Sequence, residues 1–248
     1  MDSFINRDST DFDLDLIIPA LNEESRIGNT ITAICLELER APFRTRLLVV
    51  DNGSVDATAE AVDAAHAAST KIEIIGCRHR GKGAAVRAGV TFSNARNVGY
   101  CDADLSTPPG AITAGYELLE SGWDAVIGSR RCAGSNYNVA QPWVRRMGSK
   151  VFNASASHLV GPFSDTQCGF KLFKSVVAKD VFQHLQLNGF AFDVELLARL
   201  NMRGCRITEL PIQWSDQKGS SFRVFSDGIV AFKDLYSVHR SIQPVADA

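Results

Sequence analysis

Short apolar runs alternate with helical stretches through the front half of the chain, and this alternation narrows the folds open to it. Leu14-Asp15-Leu16-Ile17-Ile18 reads as a strand ended by Pro19. Residues 24–40 follow as an amphipathic helix, with Ile27, Ile31, Ile34, Cys35 and Leu38 at helical spacing. Leu47-Leu48-Val49-Val50 is a near-continuous apolar strand, as expected when both sheet faces are covered. Asp56 can cap the alanine-rich helix after it. Residues 72–76 read as a third strand, 83–92 as a helix and 98–101 as a fourth strand. Alternation of this kind predicts a parallel sheet with right-handed crossovers. Ligands then collect at the C-terminal ends of the strands.

The back half is less regular. Residues 125–128 read as a strand ending in Ser129-Arg130-Arg131, and 132–142 as a loop rich in Gly, Asn and Pro. A helix is expected over 144–160 and strands over 171–173 and 205–210. A helix over 194–202 lies between those strands, and an amphipathic helix is expected over 227–240. No repeat, low-complexity tract or composition break marks a linker. The expected organisation is one α/β domain over residues 13–240, with flexible ends at 1–12 and 241–248.

Bulk properties exclude several classes. A net charge of −2 over 248 residues offers no field for nucleic acid and no polybasic tail. The six cysteines form no C-x-x-C and no zinc spacing, so free thiols in a reducing compartment are expected. Residues 1–15 are acidic and polar without an apolar signal core. No apolar run approaches the length of about 20 residues that spans a bilayer. A cytoplasmic protein is expected, with at most peripheral contact to a membrane.

Five polar clusters carry the chemistry. The first in importance is Asp102-Ala103-Asp104, at the end of the apolar run 97–101. Paired carboxylates at a strand tip suit a hard cation, Mg²⁺ or Mn²⁺, that bridges to substrate phosphates. A solvated turn with a helix cap would use the same residues. Pro19-Ala20-Leu21-Asn22-Glu23 presents polar groups after the first strand, either to a ligand or as a helix cap with an acidic first turn. Asp51-Asn52-Gly53-Ser54 follows the second strand. A carboxylate there can accept from a ribose hydroxyl or a base N–H, or it can close a turn before Asp56.

Arg80-Gly81-Lys82-Gly83 opens a helix, and backbone N–H groups with a cation there make a phosphate cradle. Gly76 to Lys82 satisfies G-x-x-x-x-G-K, but Gly83 stands where a P-loop needs Ser or Thr. Val86 likewise occupies the last glycine position of a dinucleotide fingerprint. The fifth cluster is Asp165-Thr166-Gln167-Cys168-Gly169-Phe170, with Phe192-Asp193-Val194-Glu195 beyond it. Asp193 is expected at a helix cap and Glu195 on the first turn. A final loop, 214–223, holds Lys218-Gly219-Ser220-Ser221.

In this order the clusters resemble family 2 glycosyltransferases, most closely the polyprenyl (dolichyl) phosphate hexose synthases. The resemblance spans residues 14–235. Its most specific part is Asp165-Thr166-Gln167-Cys168-Gly169-Phe170-Lys171-Leu172-Phe173. With Phe192-Asp193-Val194-Glu195-Leu196 and the later Trp214 and Gly219-Ser220, it is similar to the dolichyl-phosphate β-glucosyltransferase type rather than the mannose type. The resemblance implies a GT-A fold, a nucleotide-sugar donor, a divalent metal and inversion at the anomeric carbon.

By that resemblance Pro19, Ala20, Asn22, Glu23 and Asp51 line the nucleoside pocket, with Lys82, Gly83, Asp102 and Ala103 also on the nucleotide-sugar. Asp102 and Asp104 hold the metal, and Asp165, Gln167 and Asp104 form the catalytic set. Arg130, Arg146, Ser220 and Arg223 receive an anionic acceptor. UDP-glucose is the favoured donor and GDP-mannose the second. Two departures stand out. Asn52 replaces the second aspartate of the usual Asp-Asp-Gly-Ser, removing a charge near the base. Ser221 stands where a lysine or arginine is usual, with Arg223 two residues on.

The acceptor decides whether a base is needed. A phosphate monoester has a second pKa of about 6 and is mostly ionised at neutral pH. It needs positioning rather than deprotonation, and Asp165 would orient groups. A neutral hydroxyl acceptor would make Asp165 the candidate base. The competing readings are a soluble transferase acting on a small-molecule or saccharide hydroxyl, and a non-catalytic nucleotide-sugar binding module. A nucleotidyltransferase would want its basic glycine loop directly after the first strand. The C-terminal helix, with Ile229, Phe232, Leu235, Lys233 and Arg240, would either dock on the domain or lie in a membrane interface.

Overall fold

The apolar runs of the front half lie side by side as strands β1 (Leu14–Ala20), β2 (Thr45–Asp51), β3 (Lys71–Gly76) and β4 (Asn97–Cys101). The computed structural model describes residues 11–65, 70–135 and 160–213. Strands β5 (Ala125–Ser129), β6 (Phe170–Lys174) and β7 (Ile207–Pro211) complete one seven-stranded sheet of order β3-β2-β1-β4-β6-β5-β7. β1 to β4 are mutually parallel where they pair, and β5 pairs in parallel with β7. β6 runs antiparallel to both β4 and β5. The sheet is therefore mixed, and the parallel expectation holds for the front half only.

Helices α1 (Ile27–Leu38), α2 (Thr58–Ala64), α3 (Lys82–Phe92), α4 (Gly110–Glu120), α5 (Ser175–Phe182) and α6 (Phe192–Met202) cover the two faces. Strand alternation sends side chains to opposite layers. Leu16 and Leu47 are register partners on one face, and Ile17 and Leu48 on the other. The first face buries Ile31 and Ile34 of α1 and Leu119 of α4. The second buries Val86 and Val90 of α3, Phe182 of α5 and Leu197 of α6.

Several expected boundaries move. The helix expected from residue 24 begins at Ile27, because Arg26 and Ile27 N–H both donate to the Glu23 carbonyl, each at 2.9 Å, in a turn. α4 and α5 lie where no element was expected. Asp193 is inside α6 and buried, not at its cap, and Glu195 is on the first turn. The expected helices over 144–160 and 227–240, the loop 214–223 and the two flexible ends fall almost wholly outside the described residues, as do Arg146, Ser220 and Arg223. Among the described residues no helix is long and apolar enough to cross a membrane.

At the N-terminal edge of the sheet, away from the ligand end, Asp15 is fully buried and Arg46 nearly so. Arg46 grips it with two hydrogen bonds, Nε to Oδ1 at 2.9 Å and Nη2 to Oδ2 at 2.7 Å. Removing one partner of such a pair strands a charge in the interior. Arg46→Met is expected to lower stability by about 3–5 kcal/mol in urea denaturation. Affinity for ligands of the opposite edge should stay unchanged.

Candidate active site

The C-terminal ends of β1, β2 and β4 and the N-terminus of α3 meet around a cleft of about 450 Å³. Pro19, Ala20, Asn22, Glu23, Lys82, Asp102, Ala103 and Asp104 all line it, joined by Arg26, Asn52, Gly81 and Phe190. β1 and β4 are neighbours here although two strands separate them in sequence. Such a switch in strand order leaves a crevice in which ligands bind.

The front wall is a pair of interlocked loops. Asn22 sits in the left-handed region at φ 57°, which asparagine tolerates better than most residues. Its N–H donates to Ser54 Oγ at 2.9 Å, and its Oδ1 accepts from Val55 N–H at 2.9 Å. Asp51 Oδ1 accepts from Ser54 N–H at 3.1 Å and so closes the second loop. Asp51 and Gly83 are not among the residues lining the cleft. Asp56 does meet the start of α2: its Oδ1 accepts from Thr58 N–H at 3.1 Å.

Asn52 carries more than the loss of a charge. Its Nδ2 donates to the His79 carbonyl at 2.7 Å, while its Oδ1 accepts from Gly81 N–H at 2.6 Å. An amide offers a donor and an acceptor from one side chain, whereas a carboxylate would face the His79 carbonyl with an oxygen. Asn52 thus fixes the loop that opens α3. Gly81 has φ 119° and lies so close to the Asn188 carbonyl that any Cβ would overlap it. Gly83 packs under Phe192, where an added Cβ would sit 2.7 Å from the Phe192 Cβ.

Most of the charge in the cleft is paired. Lys82 Nζ lies 2.5 Å from Asp102 Oδ1. Burial disfavours the Lys82 ammonium, but Asp102, and Asp193 behind it, outweigh that and hold its pKa above the ordinary lysine value. Glu23 and Arg26 form a second pair, Oε2 to Nε at 2.6 Å and Oε1 to Nη2 at 2.9 Å. Burial pushes the Glu23 carboxyl above the usual range against the pull of Arg26, and Asp104 and Asp102 push the same way. Asp104 Oδ1 accepts from Ser106 N–H at 3.0 Å, closing the turn after β4.

From the second half of the chain Phe190 lines the cleft and Gly169 backs its wall at Asp102, whereas Arg130, Asp165 and Gln167 are not among the lining residues. Gly169 lies flat against the Asp102 carboxylate, and a Cβ at 169 would overlap both carboxylate oxygens. Asp165 is 1% exposed and clasped by Arg130. Arg130 Nε donates to Oδ2 at 2.5 Å, Nη2 to Oδ1 at 2.8 Å and the backbone N–H to Oδ2 at 3.1 Å. Burial alone would raise the Asp165 pKa, but the hydrogen bonds and charge of Arg130 win and lower it. Gln167 N–H donates to Asp165 Oδ1 at 3.3 Å. The Gln167 Nε2 is buried without a hydrogen-bond partner among the described residues. An orphaned donor of this kind costs about 1–3 kcal/mol unless a ligand supplies an acceptor.

The donor set fits a hard divalent cation. Asp102 already holds a cation, the Lys82 ammonium, and every candidate ligand is an oxygen. Among the described residues no three His, Cys, Asp or Glu side chains converge to hold a metal ion. The aspartate pair would therefore leave positions for water and ligand phosphate oxygens, which is the habit of Mg²⁺. The buried thiols nearby are unreactive: burial pushes Cys168 up to about 11 and Cys101 higher still. None of the six cysteines is in a disulfide. Arg26 and Phe190 are cleft residues that the sequence did not disclose. Arg26 had a signal in its spacing of three from Glu23, whereas Phe190 arrives from a distant loop.

Known proteins with this arrangement place the chain. A family model described as Glycosyl transferase family 2 matches residues 15–180, and the chain belongs to that family. It is a glycosyltransferase with the GT-A fold. The chain is 30% identical over 247 residues to a dolichyl-phosphate beta-glucosyltransferase of Drosophila melanogaster, covering 93% of this chain and 76% of the relative. It is 30% identical over 263 residues to that of Homo sapiens, covering 92% and 75%. Among solved structures, glucosyl-3-phosphoglycerate synthase from Mycobacterium tuberculosis, in complex with Mn²⁺, UDP and glucosyl-3-phosphoglycerate, superposes with a TM-score of 0.70. That match covers 96% of this chain and 82% of the other at 17% identity, and it shows the shared fold.

Two outcomes follow from the geometry. Gly169→Ala should displace Asp102 and weaken nucleotide-sugar binding in calorimetry while the circular dichroism spectrum is retained. Arg130→Met should strand the Asp165 charge, costing about 3–5 kcal/mol at neutral pH. Because the folded pKa of Asp165 is lowered, its pair with Arg130 stabilises fully above the unfolded carboxylate value of about 3.9 and fades below it. The gap between wild type and variant in urea denaturation should accordingly hold down to about pH 4 and shrink only below it, as Asp165 takes up its proton.

Proposed function

We propose that this glycosyltransferase moves glucose from UDP-glucose to the phosphate of a polyprenyl phosphate, with inversion at the anomeric carbon. Glucose and the lipid phosphate are supported by the names of the relatives that match nearly the whole chain. UDP is supported by the ligands of the solved structures that share the fold, and GDP-mannose is the weaker choice of donor.

The observation that carries the choice of acceptor is the Asp165–Arg130 clasp. A general base for a hydroxyl needs a free lone pair and a pKa near the working pH. Asp165 has both oxygens engaged by Arg130 and its pKa lowered. It is built to orient Arg130. An ionised phosphate acceptor needs no base and is met well by an arginine held in a fixed direction. The reading on a neutral hydroxyl is disfavoured by the same contact.

The chain's other residues then have assignable tasks. The loops at Asn22 and Asp51 hold the nucleoside, and Asn52 sets the α3 opening so that Lys82 faces the diphosphate. Arg26 adds positive charge opposite Lys82. Asp102 and Asp104 would hold Mg²⁺ or Mn²⁺, which neutralises the leaving diphosphate when bound. Gln167 offers its unpartnered amide to the sugar. Arg130 receives the acceptor phosphate, and the family resemblance gives Arg146, Ser220 and Arg223, outside the described residues, the same task. The enzyme is proposed to act at the cytoplasmic face of a membrane by peripheral contact.

The purified protein with UDP-glucose, Mn²⁺ and a short polyprenyl phosphate should yield a glucosylated lipid phosphate, and the matching polyprenol should yield none. Product from the alcohol alone would overturn the proposal. Asp104→Ala should bring metal-dependent turnover to background with the fold intact; full activity at saturating Mn²⁺ would remove the metal's role. Binding in a liposome flotation assay is expected on vesicles containing the lipid phosphate.

A further inference from the structure

Lys171 stands at a core position. On β6, Phe170 and Leu172 belong to one buried layer and Phe173 to the other, so the strand's alternation gives Lys171 the face of Phe173. It is fully buried, and so is its register partner Tyr100 on β4. An aliphatic side chain would fill such a place without the penalty of burying a charge.

The ammonium has three hydrogens and three acceptors. Lys171 Nζ lies 2.6 Å from Asp193 Oδ1, 2.8 Å from the Cys168 carbonyl and 3.3 Å from the Thr166 carbonyl. The two carbonyls flank Gln167. Tyr100 OH donates to the same Asp193 oxygen, and its ring lies 5.6 Å from the ammonium. Tyr100 is two residues before Asp102, on the strand that delivers the aspartate pair.

We propose that Lys171, oriented by Asp193 and Tyr100, is a positioning residue that sets the Gln167 turn against the Asp102 carboxylate. The carbonyl grip fixes both ends of the turn, so Gln167 and Gly169 hold their places relative to β4. This rests on the glycosyl-transfer reading given above. None of the three residues lines the cleft, and their effect reaches the chemistry only through the turn.

The experiment separates positioning from packing. Lys171→Met alone should be unstable, because it leaves the Asp193 charge buried. Lys171→Met/Asp193→Asn removes both charges and keeps an acceptor for Tyr100, so its thermal midpoint should return close to that of the wild type. Turnover from UDP-glucose to a short polyprenyl phosphate should nevertheless remain about tenfold or more below wild type. KM for UDP-glucose should stay within about twofold, since the front wall is untouched. Turnover recovering together with the midpoint would overturn the proposal.

Tyr100→Phe guards against a double variant that does not fold. It should keep the midpoint and lose about threefold in kcat at unchanged KM for UDP-glucose. Wild-type kcat in that variant would also overturn the proposal. A wild-type enzyme that transfers glucose to no lipid phosphate would instead overturn the acceptor reading. The same variants would then be compared in Mn²⁺-dependent hydrolysis of UDP-glucose, where the same kcat loss is expected and its absence would sink the positioning role.

Discussion

The reversed direction of β6 is the constraint on which the site depends. Because β6 pairs antiparallel with β4, Phe170 at the start of one strand lies beside Cys101 at the end of the other. The residues entering β6 and those leaving β4 must therefore meet. Asp165 to Gly169 enter; Asp102 to Asp104 leave. A parallel β6 would have put residues 165–169 at the opposite edge of the sheet, next to the Asp15–Arg46 pair. Gly169 makes the meeting close enough to matter, since only a residue without Cβ can lie against the Asp102 carboxylate.

Electrostatics in the cleft follows from that convergence. Glu23, Asp102 and Asp104 come together from two strand ends, and like charges at this spacing repel. Arg26 and Lys82 are the local counterweights. Three carboxylates against two cations leave one negative charge in excess, which favours the divalent cation that would accompany a nucleoside diphosphate. Lys82 would then exchange part of its contact with Asp102 for the phosphates. Pro19, Ala20 and Ala85 exclude water from part of the cleft wall, which strengthens the contacts beside them.

Much of this was legible in the chain because apolar patterning is local. The runs ending at Ile18, Val50, Gly76 and Cys101 announced four strands, and the polar residues after each became loops on one edge. Direction was not legible. A five-residue strand such as Phe170–Lys174 looks the same whichever way it runs, and its pairing is decided by contacts distant in sequence. Asp193 was misread for the same reason. At a helix start an aspartate suggests a cap, and only the fold brings Lys171 to it from 22 residues away. Asn52 was legible as a missing charge, but its task of bridging His79 and Gly81 depends on how the next loop folds back.

The two buried carboxylates of the second half show how similar groups come to differ in purpose. Asp165 and Asp193 are both nearly inaccessible, and each is matched to a cation. The Asp165 partner, Arg130, remains partly exposed at the sheet's ligand edge, so that pair can pass its orientation to something outside the protein. The Asp193 partner, Lys171, is fully enclosed and directs its remaining hydrogens to backbone carbonyls. On the proposed reading the first pair aims a guanidinium at the acceptor and the second fixes a turn. A bidentate arginine suits an anionic acceptor, and an enclosed ammonium suits the satisfaction of converging carbonyls. Arginine at 130 and lysine at 171 are thus the choices that the proposed division of tasks between the two pairs requires.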